Sequence, residues 1–164
     1  QKHRQKLLVE IKTTPADSPR MLQHFNQRYG RQLQQNHAWL HSMDLHAVQE
    51  LHRLNPKLAV MAIQPYVLGW PARHVGWNVE YSMLNPLLIA QLHFNHQPIC
   101  VWTVDDPDTM RQAALMGVDG IVTDNLKALD IALKDTERHH DYAARLAAQL
   151  NVAYNWHNLI DGRR

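Results

Sequence analysis

With 164 residues, 45% of them hydrophobic and 20% charged, the chain has the size and makeup of one globular domain able to bury a core. Its 17 Lys and Arg against 15 Asp and Glu leave a formal charge of +2, and no Lys/Arg block exceeds two residues, which argues against a nucleic-acid partner. No apolar run nears the ~20 residues of a membrane span, and a single cysteine, Cys100, excludes an internal disulfide.

Taken in chain order, apolar strand patterns alternate with helical ones. "LLVEIK" (7–12) is a short β-rich run, the first predicted strand. Ser18 offers an N-cap and Pro19 a first helical residue, after which Met21, Leu22, Phe25, Tyr29 and Leu33 share one helical face. "AWLHSM" (38–43) is a second strand, and Asp44 caps a helix with Ala47, Val48, Leu51 and Leu54 on its apolar side. "KLAVMAIQ" (57–64) is a third strand, followed by a loop rich in Pro and Gly. "WNVEYSML" (77–84) reads as a fourth, with Asn85 and Pro86 opening the next helix. "PICVWTV" (98–104) is a fifth strand. Asp106 and Pro107 then start a helix that stops at Gly117, a residue type suited to a left-handed helix end. "GIVTD" (120–124) is a sixth strand, and the remainder from Asn125 is mostly helical.

Strands separated by helices of about ten residues mean βα units and a parallel sheet, and the near-continuous apolar strands fit a sheet covered by helices. Both a doubly wound sheet and a barrel satisfy this pattern. No glycine-rich phosphate loop is present to favour a nucleotide fold. The twelve histidines are scattered among Gln and Asn without metal-ligand spacing and read as composition, and Cys100 reads as a buried, inert thiol.

Ligands of parallel sheets sit at the carboxyl ends of the strands. The residues that collect there are Glu10 and Lys12, Ser42 and Asp44, Gln64, Glu80, Trp102 and Thr103, and Thr123 and Asp124. Glu10 and Lys12 are two apart and share a strand face. A carboxylate suits a hard cation and an ammonium suits a phosphate oxygen. A solvated ion pair where a strand leaves the core is the plainer alternative. Trp102 has core packing as its alternative, and Asp44 and Asp106 are better explained as helix caps.

Three stretches carry a resemblance. "LLVEIKTTP" resembles the E-x-K strand of glycerophosphodiester phosphodiesterases, "HSMDLHAVQELHRLNP" resembles their S-F-D strand and the helix after it, and "VWTVDDPDTMRQAALMGVDGIVTD" resembles their closing strand–helix–strand segment. They come in the family's order and span residues 7–124. The resemblance implies a (β/α)8 barrel of TIM type, of which this chain holds the C-terminal five to six βα units. It implies hydrolysis of glycerophosphodiesters to glycerol 3-phosphate and an alcohol, assisted by a divalent metal, Ca2+ or Mg2+. It makes Glu10 a metal ligand and Lys12 a phosphate contact, and it puts Trp102 in the substrate pocket. Met43 stands where the family usually has Phe, and Asp105 where it usually has Asn.

The family's acid and base histidines lie in an H-R-G and an H-D motif. No H-R-G occurs here, and the one "HD", His140–Asp141, falls beyond the last match, so no catalytic residue is assigned within the chain. The expected organisation is a barrel portion over 1–134 and a helical extension over 135–164. With no initiating Met and no secretory signal in "QKHRQK", the sequence reads as a piece of a longer chain. The parent's location is left open between the cytoplasm and a membrane anchored through an N-terminal region. The expected partners are a glycerophosphodiester and, for the isolated piece, a second copy in a homodimer. A non-catalytic binding or assembly module that keeps part of the barrel is the alternative function.

Overall fold

The structure, a computed structural model, describes residues 6–13, 18–66 and 73–138. It falls into two compact units, 1–78 and 79–164.

The first unit holds β1 (Leu8–Glu10), α1 (Ser18–Gln35), β2 (Trp39–Ser42), α2 (Leu45–Leu54), β3 (Ala59–Gln64) and the opening of β4 (Val75–Glu80). Its strands lie in the order β1-β2-β3-β4. β1 pairs parallel with β2 and β2 with β3, so that Val9 faces Leu40 and Leu40 faces Val60 across the ladder. Strand side chains alternate between faces. Val9, Leu40 and Val60 therefore share one face, and they pack with Leu22 and Leu33 of α1 and Val48 and Leu51 of α2. The opposite face carries the rows Leu8–Trp39–Ala59 and Glu10–His41–Met61.

The second unit holds the end of β4, a single 3-10 turn (Tyr81–Met83), α3 (Pro86–Phe94), β5 (Ile99–Trp102), α4 (Pro107–Met116), β6 (Gly120–Ile121) and α5 (Leu126–Arg138). The strand order is β4-β5-β6, with β5 and β6 parallel. Val79, Leu88, Leu92, Ile99, Val101, Met110 and Ala113 are all buried. Cys100 is buried among them and its thiol is pushed up to about 12, first by desolvation and then by the negative charge of Asp119. It is inert, as expected from its place in a strand.

The caps follow the sequence. Asp44 accepts from the His46 N–H, Asn85 from the Leu88 N–H and Asp106 from the Thr109 N–H, each opening its helix. Gly117 ends α4 in the left-handed region at φ 90°. The fourth strand departs from its expected bounds. It runs from Val75 to Glu80 rather than from Trp77 to Leu84. Glu80 caps a turn there, accepting from both the N–H and the hydroxyl of Ser82. The sixth strand is shorter than expected, with two residues in the ladder. Tyr142, Leu146 and Leu150, expected to be helical, lie outside the described residues. So do most of the expected C-terminal extension and the pair His140–Asp141. Among the described residues, no helix is long and apolar enough to cross a membrane.

Candidate functional site

Burial decides how the first site pair is presented. Ile11 turns into the core and hydrogen-bonds through its N–H to the His41 carbonyl at 2.8 Å. Its neighbours Glu10 and Lys12 are exposed, and on alternation they share the other face. The structure brings these two together: Lys12 Nζ lies 3.6 Å from Glu10 Oε2, with 81% and 39% of the side chains exposed. An ion pair this open to solvent is worth about 0–1 kcal/mol. The fold does not depend on it, and both groups are free to meet a ligand.

The strand ends beside this pair are tightly organised. Ser42 is buried, and its hydroxyl donates to the Ile11 carbonyl at 2.6 Å while accepting from the Asp44 N–H at 3.1 Å. Thr13 Oγ1 donates to Asp44 Oδ2 at 2.8 Å. Burial pulls the Asp44 carboxyl upward, but hydrogen bonds from Thr13 and from the Ala47 and His46 N–H groups outweigh it and hold the group below its usual range. Asp44 therefore ties the segment after β1 to the start of α2, and its lone pairs are committed to structure. Met43 between them is 60% exposed.

A polar group on the Glu10 face of β2 was not among the expected site residues. His41 is the ladder partner of Glu10, and its Nδ1 lies 3.0 Å from Asn78 Nδ2. Desolvation lowers the pKa of His41, against a smaller upward pull from the charge of Glu10. Asn78 itself is 1% exposed. A buried amide and a half-buried imidazole on a strand face that barrels usually fill with branched apolar side chains mark that face as more than packing. Strict alternation along "WLHS" and "GWNVE" was the available signal.

In the second unit Trp102 is half-buried at the end of β5 and Thr103 is exposed beyond it. Asp105 Oδ1 accepts from Thr123 Oγ1 and from the Asp124 N–H, each at 2.8 Å. The segments that follow β5 and β6 are thus fastened to one another.

The fit of a divalent cation can be judged from the donor set. Such an ion takes about six to eight oxygen ligands as Ca2+, or an octahedral six as Mg2+. Among the described residues, no three His, Cys, Asp or Glu side chains are grouped to hold one. Glu10 supplies one carboxylate and the described residues do not complete a metal site around it.

Three comparisons bear on these residues. Residues 98–127, which include Trp102 and Asp105, match the sequence profile of the glycerophosphoryl diester phosphodiesterase family. A candidate glycerophosphodiester phosphodiesterase of Bacillus subtilis (strain 168), YhdW, is 43% identical over 47 residues, which are 29% of this chain and 19% of that protein. A glycerophosphodiester phosphodiesterase from Parabacteroides distasonis ATCC 8503 superposes with a TM-score of 0.67 at 24% identity, over 78% of this chain and 56% of its own. An Oleispira antarctica phosphodiesterase, solved with the product sn-glycerol-3-phosphate, superposes at 0.61 and 12% identity, over 80% of this chain and 56% of its own. The chain thus spans about half the length of these solved structures. The fold is that of part of a TIM-type barrel, as expected, and the resemblance to glycerophosphodiester phosphodiesterases holds in sequence and in structure.

Proposed function

We propose that this chain is the C-terminal portion of the barrel of a glycerophosphodiester phosphodiesterase, whose whole protein hydrolyses glycerophosphodiesters to glycerol 3-phosphate and an alcohol. The observation that carries the reading is the profile match over residues 98–127, which covers β5, α4 and β6 and contains the strand-end Trp102. The E-x-K pair at the end of β1 supports it, because Glu10 and Lys12 sit at the strand end where parallel sheets collect ligands.

In this reading Lys12 neutralises a phosphate oxygen as a mobile point charge, a role its exposure permits. Trp102 borders the substrate. Glu10 is one carboxylate of a divalent-cation site, Ca2+ or Mg2+, with its further ligands outside the described residues; a cation there would stabilise phosphoryl charge. The proton-transferring histidines are likewise outside this chain. Alone, the chain pairs with a second copy through the outer edge of β1, which has no ladder partner among the described residues.

The test extends the coding sequence upstream. An extended protein carrying H-R-G and E-x-D segments should release glycerol 3-phosphate from glycerophosphocholine with Mg2+ or Ca2+. The 164-residue chain should not, since each missing acid or base group is worth about 10²–10⁴-fold. An extended protein that carries both motifs and remains inert toward glycerophosphodiesters would overturn the assignment. Turnover by the short chain that disappears in Glu10→Gln would overturn the view that its catalytic groups lie elsewhere.

A further inference from the structure

The first unit has a polar concavity at the amino end of its strands. A cavity of about 440 Å3 is lined by Lys6, Gln34, His37, Ala38, Trp39, Lys57 and Ala59. Trp39 and Ala59 are the first residues of β2 and β3 and are ladder partners. Lys6 lies just before β1, and Gln34 and His37 belong to the end of α1 and the turn after it. The cavity is therefore at the amino ends of the strands, whereas Glu10 and Lys12 are at the carboxyl end of β1.

Its chemistry is one-sided. Two ammonium groups, an imidazole and a carboxamide line it, and among the described residues no carboxylate does. Neither Lys6 nor Lys57 forms an ion pair among the described residues, unlike Lys12 with Glu10 and Arg53 with Glu50. His37 is held at φ 51°, in the left-handed region, by the turn that closes α1, where its N–H donates to the Gln34 carbonyl at 3.1 Å. The half-buried indole of Trp39 supplies a flat apolar wall. The volume falls within the roughly 300–1,000 Å3 of small-molecule sites.

We propose that this cavity binds a small organic phosphate monoester bearing a planar ring, its phosphate between Lys6 and Lys57 and its ring on Trp39. A phosphate offers three acceptor oxygens, which suits several separate point-charge donors better than a carboxylate's two. The indole then accounts for the ring. The site is separate from the Glu10–Lys12 pair and does not rest on the function proposed above.

Phenyl phosphate is a suitable probe, titrated into the 15N-labelled chain and followed by the indole N–H signal assigned as the one lost in Trp39→Phe. Saturable movement of that signal is expected, with a Kd on the order of 1 mM. Inorganic phosphate should bind more weakly, benzoate more weakly still, and the double variant Lys6→Gln/Lys57→Gln should lose about tenfold or more in affinity. Both lysines are exposed, so the variant keeps its fold, which its dispersed spectrum verifies. Lys12→Ala should bind phenyl phosphate in this cavity with unchanged affinity. Absence of a saturable shift overturns the proposal. So does equal binding by the double variant, or movement of the Trp39 signal that depends on Lys12.

Discussion

Asp105 and Thr123, eighteen residues apart, are joined by a 2.8 Å hydrogen bond in which the threonine hydroxyl donates to Asp105 Oδ1. The same oxygen accepts the Asp124 N–H at 2.8 Å. Both bonds use the aspartate as an acceptor only. This bears on the residue's departure from the Asn that resembling enzymes usually carry, since an amide oxygen could take the same two bonds. Asp105→Asn should leave stability unchanged within about 0.5 kcal/mol. Asp105→Ala should cost about 1–2 kcal/mol, the sum of two modest bonds. Urea denaturation followed by circular dichroism reads both, and an Asn variant as unstable as the Ala variant would show that the charge matters.

Two helices end without the glycine that such turns favour. After α1 the Ala38 N–H reaches the Leu33 carbonyl at 2.9 Å with His37 at φ 51°, and after α3 the Gln97 N–H reaches the Leu92 carbonyl at 2.9 Å with His96 at φ 57°. These are the bonds that close α4 at Gly117, where the Val118 N–H reaches the Ala113 carbonyl. A histidine pays a steric cost in the left-handed region that glycine does not. His96→Gly should therefore raise stability by about 0.5–1 kcal/mol, after allowing for glycine's freer unfolded chain. A lower urea midpoint in the variant would mean that the His96 ring contributes a contact larger than the strain.

The alternation of strand and helix was legible because each element carries two signals at once, an apolar period and a punctuating residue. Asp44, Asn85 with Pro86, Asp106 with Pro107, and Gly117 all lie where caps require them. The end of the fourth strand was not legible. Val79, Tyr81 and Met83 continue an alternating pattern, but the Glu80 carboxylate captures Ser82 and turns the chain into a 3-10 turn. Local side-chain capping thus overrode periodicity. The histidines were read as mere composition because their roles differ and leave no common spacing. His37 and His96 terminate helices, while His41 contacts Asn78 across the strand intervening between β2 and β4. Of the site, the pair Glu10–Lys12 was visible from spacing, and among the described residues no group of three acidic, imidazole or thiol side chains gathers around Glu10.

Acid should weaken the chain partly through its caps. Asp44 and Asp106 are held below the usual carboxylate range. For Asp44, hydrogen bonds from Thr13 and backbone N–H groups overcome the opposing effect of burial; for Asp106, the bonds from the Thr109 hydroxyl and N–H are the main cause. A carboxyl whose folded pKa is depressed contributes stability that is present above its unfolded pKa. That contribution is lost as pH falls through the folded value. The loss should begin near pH ~4, where a free Asp titrates, and continue downward. Comparing urea midpoints at pH 6 and below pH 4 should show a smaller drop in Asp44→Asn than in the unaltered chain. At pH 6, Asp44→Ala should cost about 1–2 kcal/mol through loss of the cap. An identical acid response in the Asn variant would remove Asp44 from the account.

The Glu10–Lys12 pair should be separable from folding. At 3.6 Å and largely exposed, it contributes little to stability, so Glu10→Gln and Lys12→Ala should each shift it by less than about 1 kcal/mol. In the extended protein the same changes should have large and different effects. Glu10→Gln should raise the metal concentration needed for half-maximal rate, and Lys12→Ala should lower activity at limiting substrate. Full activity of either variant under limiting metal and substrate would cancel the role proposed for that residue.

β1 begins the order of its sheet, with β2 as its one ladder partner among the described residues, and Leu7 and Leu8 beside that edge are 52% and 40% exposed. A closed barrel has no edges, whereas a portion of one leaves strand N–H and C=O groups without ladder partners. Trp39, the ladder partner of Leu8, is half-buried on the same face, so the exposed apolar surface continues inward from the edge. Full burial of a side chain such as leucine is worth roughly 1.5–3 kcal/mol, and a two-fold pairing counts every contact twice. The chain should therefore sediment as a dimer at micromolar concentration. Replacing Leu8 with Lys should shift the equilibrium toward monomer, because a charge on an exposed strand discourages pairing. A folded monomer with no dependence on concentration would show that the edge is covered from within the chain, and a dimer indifferent to Leu8→Lys would place the contact elsewhere.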